Sequence, residues 1–141
     1  MPHPEEPARD EPHLEEALRW LELADRDIAA FALLARTPEI HFTIAGFHAQ
    51  QAVEKSLKAV LFRNAIEFPR LHDLAALANI LIDHGIDPPC TPDELRILNP
   101  FAVAFRYEDV DLDLLTREEA AHIVDRIRRW AGDRISHSSD A

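Results

Sequence analysis

Residues 41–64 constrain the fold more than any other stretch, because they run without proline and hold one glycine, Gly46, near their start. Such a run predicts a single long helix. Small side chains would gather on one side of it and bulky apolar side chains elsewhere: Ala45, Ala49, Ala52, Ser56 and Ala59, then Ile44, Phe47, Leu57, Leu61 and Phe62. A helix that is apolar around most of its circumference is a buried one. We therefore expect this helix at the centre of the molecule.

A single polar row runs along the predicted central helix, at spacings of three, four and three residues. It consists of His48, Gln51, Lys55 and Lys58, and such spacings place all four side chains on one face. The two lysines are the only lysines of the chain. One interpretation is a polar groove that binds a phosphate, a nucleotide or the carboxylates of a partner.

The other interpretation of the polar row is structural. Buried polar groups in helical bundles usually bond to one another, so His48 and Gln51 would be bonded inside the bundle. In this interpretation Asp27 is the natural partner of Lys55 and Asp73 that of Lys58.

The chain before and after the central helix predicts two further helices. Apolar residues at helical spacing indicate a first helix over residues 13–35, and Pro38 ends it. A third helix is expected from residue 71 or 73 to residue 84, with Asp73 as its cap and Gly85 as its left-handed end.

Two capping boxes predict the remaining helices. Thr91 with Glu94 opens a fourth helix that we expect to continue to Phe105, with a kink near Pro100. Thr116 with Glu119 opens a last helix that ends near residue 134. The predicted fold class is all-α, an antiparallel up-and-down bundle of four long helices plus one short helix, over residues 13–135. Residues 1–12, acidic and rich in proline, and residues 136–141 are expected to be disordered tails.

Composition excludes several classes of protein. The net charge of −11 disfavours long-range attraction to nucleic acid, so we expect no DNA binding. The single cysteine, Cys90, excludes an internal disulfide and indicates a reducing compartment. Absence of a long apolar run or a signal peptide predicts a cytoplasmic protein without a membrane partner. No histidine and carboxylate set has metal-ligand spacing, and three isolated glycines exclude a phosphate-binding glycine loop.

Three motifs resemble the signature of the HEPN domain family. They are FHAQQAVEKSLKA at residues 47–59, FPRLHDL at residues 68–74, and Phe105-Arg106-Tyr107 further along. The resemblance spans roughly residues 13–135 and implies the same helical bundle. It also implies a homodimer and one of three functions: a ribonuclease toxin, a nucleotide-binding module, or a protein that pairs with a minimal nucleotidyltransferase.

HEPN ribonucleases carry an arginine and a later histidine with four to six residues between them, and this resemblance marks Arg106 and Tyr107 as the candidate catalytic residues. The positions expected for the histidine hold Asp111, Leu112 and Asp113. Acidic residues there repel an approaching phosphate. Arg117 and His122 also satisfy the spacing, as chance alone would produce in a chain with thirteen arginines and eight histidines.

The sequence therefore favours a non-catalytic, dimeric HEPN module. It would bind a nucleotide such as ATP or GTP, a minimal nucleotidyltransferase in a toxin–antitoxin-like pair, or both, and it would need no cofactor and no metal. The expected ligand-binding or partner-binding residues are His48, Gln51, Lys55, Lys58, His72 and Asp73. The alternative is a metal-independent endoribonuclease toxin with a degenerate arginine–histidine motif, and RNA would be a partner only in that case.

Overall fold

The structure, a computed structural model, describes residues 5–104 and 116–137, with side chains from residue 12 onward. All regular secondary structure within these ranges is helical. The elements are α1 (Glu5–Ala35), α2 (Phe42–Arg63), α3 (Leu74–Asp83), α4 (Pro92–Arg96), a 3₁₀ helix (Asn99–Ala102) and α5 (Arg117–His137). No helix in the described part of the chain is long and apolar enough to cross a membrane.

Helix α2 is the centre of the fold, as its apolar circumference predicts. It packs against α1, α3, α5 and the 3₁₀ helix, and its contact with α1 is the most extensive. The predicted strip of small side chains is buried along its whole length, from Ala45 to Ala59. Small residues allow neighbouring helices to approach closely, so this strip sets how near the surrounding helices lie to α2.

The ends of α2 and α3 are fixed by the residues that the sequence indicated. His41 caps α2, its Nδ1 accepting the Thr43 backbone N–H at 3.2 Å, and Asn64 ends the helix. Asp73 caps α3, and Gly85 follows that helix with a φ of 78°, a left-handed conformation that glycine adopts without steric cost. Both predicted helices are confirmed to within a residue or two at each end.

The outer helices are longer than predicted. Helix α1 begins at Glu5 rather than at residue 13 and contains Pro12, and α5 continues to His137 rather than ending near residue 134. Residues 1–4 and 138–141 of the two predicted tails lie outside the described residues.

The prediction of one long fourth helix is wrong. The capping box of Thr91 and Glu94 is present, and α4 starts at Pro92, but it ends at Arg96. Pro100 has no N–H, and its ring clashes with the carbonyl four residues earlier, which is that of Arg96. The chain therefore continues as the short 3₁₀ helix that contains Pro100. Phe105, the expected end of the fourth helix, lies outside the described residues.

Phe101 shows why the break after α4 matters for packing. Its ring is 1% exposed and meets the Phe42 ring edge to face, with 5.5 Å between ring centroids. A Cβ placed on Gly46 would lie 2.2 Å from this ring. The 3₁₀ helix thus inserts Phe101 against the bare backbone of α2, and Phe101 belongs to the core.

Candidate functional site

The carboxylate of Asp27, on α1, joins two residues of the polar row on α2. His48 Nδ1 lies 2.9 Å from Asp27 Oδ1, and Lys55 Nζ donates to Asp27 Oδ2 at 2.5 Å. The side chains are 28% exposed for His48, 22% for Lys55 and 12% for Asp27. The structure confirms the predicted pair of Asp27 and Lys55, which links the two most extensively packed helices.

The carboxylate of Glu54 forms a second and more deeply buried cluster. It accepts hydrogen bonds from Gln50 Nε2 at 3.1 Å and from Lys58 Nζ at 3.0 Å, and His72 Nδ1 lies 3.1 Å away. Gln50 Nε2 also donates to the His72 carbonyl, and Gln51 donates to the Gln50 side chain. Because the Glu54 side chain is 4% exposed and its oxygens are bonded by several donors, it holds the segment before α3 against α2 rather than presenting a free carboxylate.

Aromatic rings also lie close to the ammonium group of Lys58. Its Nζ lies 5.7 Å from the centroid of the Trp20 ring and 5.9 Å from that of Phe68, distances at which a cation is attracted to the ring face. Trp20 is stacked on Phe62 with 5.6 Å between centroids. The ammonium group of Lys58 is thus enclosed by groups of its own chain.

Asp73 stabilises α3 and does not bond to Lys58, so the predicted pair of Asp73 and Lys58 is wrong. Its Oδ1 accepts the backbone N–H groups of Ala75 and Ala76, and it also accepts the Asn99 side-chain N–H at 2.9 Å. The Asn99 hydrogen bond is the main cause that lowers the pKa of Asp73, and the two backbone donors act in the same direction. This carboxylate is already engaged by the cap and by Asn99.

The polar row therefore divides into two clusters. His48 and Lys55 bond to Asp27, whereas Gln51 and Lys58 belong to the network of Glu54, which also includes His72. The sequence interpretation missed Glu54 and Gln50 as members of the site. A signal was present, since Gln50, Glu54 and Lys58 follow one another at spacings of four residues on one helix.

The candidate catalytic residues Arg106 and Tyr107 lie outside the described residues. The second arginine–histidine pair is described and does not converge. The Arg117 guanidinium lies over the Phe42 ring at 5.3 Å, whereas His122 lines a groove with Ile97 and Glu118. Residues five apart on a helix are about 140° apart around its axis, so these two side chains point in different directions.

The described residues do not favour thiol chemistry or a metal site. Cys90 is buried, and desolvation raises the pKa of its thiol, which disfavours the reactive thiolate. Within residues 12–104 and 116–137, no group of three or more His, Cys, Asp or Glu side chains could hold a metal ion.

The described part of the chain is a helical domain in which the central helix carries two internally paired carboxylate clusters. The profile of the HEPN domain matches residues 17–133, which is most of the chain, and the protein belongs to the HEPN family. The motifs at residues 47–59 and 68–74 supply most of the residues of the two clusters. No curated protein and no solved structure matches the chain.

Proposed function

We propose that this protein is a non-catalytic HEPN module that acts as a dimer and binds a partner protein. The observation that carries the proposal is the pairing of Lys55 with Asp27 and of Lys58 with Glu54 inside the domain. Each ammonium group already has a carboxylate partner, so the positive charge of the row is compensated before any ligand arrives. The row then serves to join α1, α2 and the segment before α3, and the outer surface of the domain is left to bind the partner protein.

The candidate partner is a minimal nucleotidyltransferase, the pairing that membership in the HEPN family suggests, in a toxin–antitoxin-like arrangement. The test is copurification of this protein with a nucleotidyltransferase encoded beside its gene, followed by measurement of the mass of the complex by light scattering. A stable complex supports the proposal. Separate elution of the two proteins at micromolar concentration would exclude the nucleotidyltransferase as the partner.

Nucleotide binding at the polar row is the second version of the proposal, and the partial exposure of His48 and Lys55 favours it. A phosphate group would have to compete with Asp27 for the Lys55 ammonium. Calorimetry with ATP and GTP tests this version on the wild type, on Lys55→Ala and on Arg129→Ala, an exposed control on α5. Heat that is lost in Lys55→Ala and kept in the control supports nucleotide binding at this row, and no heat from the wild type excludes it.

The alternative is an endoribonuclease toxin, which the HEPN family also includes. Arg106 is its candidate catalytic residue, and the sequence places Asp111, Leu112 and Asp113 where the family's histidine would stand. RNA cleavage in metal-free buffer by the wild type and by Arg106→Ala tests it. We expect the same background from both proteins, and cleavage that depends on Arg106 would establish the alternative.

A further inference from the structure

One face of α1, remote in sequence from the polar row, carries acidic and basic residues in alternation. When this face is placed against a reversed copy of itself, every charge lies opposite a charge of the other sign. Six residues of this helix line a shallow groove of about 480 Å³: Glu15, Leu18, Arg19, Glu22, Leu23 and Arg26. All of them except the half-buried Leu23 are exposed, and Leu18 is 51% exposed. We call these six residues the α1 face.

The four charged residues of the α1 face lie on one line along the helix, because their spacings are four, three and four residues. Reversal of the helix direction about the point between Trp20 and Leu21 places position 15 opposite position 26 and position 19 opposite position 22. An antiparallel second copy would therefore set Glu15 against Arg26 and Arg19 against Glu22, in both directions. A parallel second copy would set each charge against its like.

The two leucines lie on either side of this charged line. Leu18 also lines the neighbouring groove between α1 and α5, which has a volume of about 580 Å³ and includes Gly132 and Ile135. A two-fold axis across the α1 face brings Leu18 of each copy to the same flank. The second groove provides space there for the leucine of the other copy, which would be removed from water on association.

The charge of the α1 face itself also favours a second copy there. The chain carries a charge of −11, so two copies repel each other over most orientations. The α1 face has two arginines and two glutamates, and its charge is zero. A basic peptide would meet two arginines there and a nucleic acid would meet two glutamates, whereas a second copy meets an opposite charge at every position.

We propose that the protein forms its homodimer by antiparallel pairing of the α1 face with the α1 face of a second copy, with Leu18 as the main apolar contact. This inference rests on the dimeric part of the proposed function and names the surface that it would use.

Sedimentation equilibrium at micromolar concentration tests the role of the leucine. We expect a dimer for the wild type, at least a tenfold weaker dimer for Leu18→Glu, and wild-type association for Ile82→Glu. Ile82 is the control because it is 37% exposed and lies on α3, which packs mainly against α2 and α4 rather than against α1. Circular dichroism of each variant verifies that it is folded.

The outcomes of this experiment distinguish the existence of the dimer from the use of the α1 face as its interface. A monomeric wild type would overturn the dimer itself and with it this inference. A dimeric wild type whose association is weakened no more by Leu18→Glu than by Ile82→Glu would overturn the α1 face alone and leave the dimer in place.

Charge reversal provides an independent test that retains both leucines. One variant carries Glu15→Arg and Glu22→Arg, and the other carries Arg19→Glu and Arg26→Glu. Each has four like charges on the α1 face, so each alone should be monomeric, and an equimolar mixture should form a mixed dimer. Dimers of either variant alone with wild-type affinity, or a mixture that stays monomeric, would contradict the proposed pairing.

Discussion

At the scale of single residues, Asp27 has a large energetic consequence, because it bonds to two residues that are partly removed from water. Loss of one partner from such a pair leaves the other charge buried without compensation, which costs more than the pair itself contributes. The exposed pair of Asp25 and Arg128, also between α1 and another helix, offers a comparison in the same helix.

We expect Asp27→Asn to lower the free energy of unfolding by about 1–3 kcal/mol, because Lys55 loses its carboxylate in a partly buried position. Asp25→Asn should lower it by less than about 1 kcal/mol, because Asp25 is half exposed and water replaces its bond to Arg128. Urea unfolding followed by circular dichroism measures both. Equal losses for the two variants would show that the Asp27 cluster is not a structural link.

Asp73 predicts a pH dependence of stability. Its folded-state pKa lies below the ordinary value of 3.8, chiefly because of the hydrogen bond from Asn99. A lowered folded-state pKa means that the ionised cap stabilises the fold fully above the unfolded-state pKa and loses this contribution as pH falls through the folded-state value. We expect Asp73→Ala to cost about 0.5–2 kcal/mol at pH 7 and less below about pH 4.

The measurement is urea unfolding of the wild type and Asp73→Ala between pH 7 and pH 3. Asp93→Ala is a suitable control, since Asp93 is exposed and its bond is to Arg96 on its own helix. A difference between wild type and Asp73→Ala that stays constant across this range would contradict the role of the ionised carboxylate.

At the scale of helices, the sequence predicts the helices whose ends are determined by residues close by in the chain. The bounds of α2 at residues 41 and 64 and the cap of α3 at Asp73 were predictable, because a run without proline and a capping residue are local signals. The break after Arg96 was not, because Pro100 alone is compatible with a kink. The helix breaks because Phe101 is buried against Gly46, and this contact joins residues that are far apart in the chain.

The candidate site follows the same division. The spacing on α2 predicts which side chains share a face, and the pair of Asp27 and Lys55 was expected because buried charges in a helical bundle are usually paired. The partner of Lys58 was not predicted, because Asp73 is the cap of α3 and also accepts from Asn99, so its carboxylate is engaged elsewhere. A sequence without coordinates does not show which of two nearby acids is already bonded.

The contact of Phe101 with α2 predicts opposite effects for two substitutions of glycine by alanine within helices. Gly46→Ala would place a Cβ 2.2 Å from the Phe101 ring, and we expect a loss of about 1–3 kcal/mol from overpacking. Gly132→Ala would meet only the end of the flexible Arg128 side chain at 2.7 Å. It should be neutral or stabilise α5 by up to about 1 kcal/mol, because alanine favours helix.

Thermal and urea unfolding of the two alanine variants test this difference. The double variant Gly46→Ala with Phe101→Leu should be less destabilised than the sum of its single variants, because the smaller side chain makes room for the new methyl group. Additive losses would show that Phe101 does not limit the space at Gly46.

At the scale of the whole molecule, the net charge of −11 opposes dimerisation, whereas the α1 face favours it. Two copies in contact have centres about 30 Å apart, twice the radius of gyration expected for a domain of this size. Their repulsion would be about 17 kcal/mol without screening, ~6 kcal/mol in 0.01 M salt and below ~1 kcal/mol in 0.15 M salt. Exposed ion pairs contribute only about 0.2–1 kcal/mol each, so repulsion dominates at low salt.

We therefore expect the dimer to become tighter as salt rises from about 0.01 M to 0.15 M, the opposite of an association driven by charge attraction. Sedimentation equilibrium at several salt concentrations measures this change. Ile82→Glu adds one negative charge away from the α1 face, so its dimer should be slightly weaker than the wild-type dimer in low salt and indistinguishable from it at 0.15 M. A dimer that weakens steadily with added salt would contradict this expectation and mean that attraction between complementary charges, rather than the leucine contact, holds the two copies together.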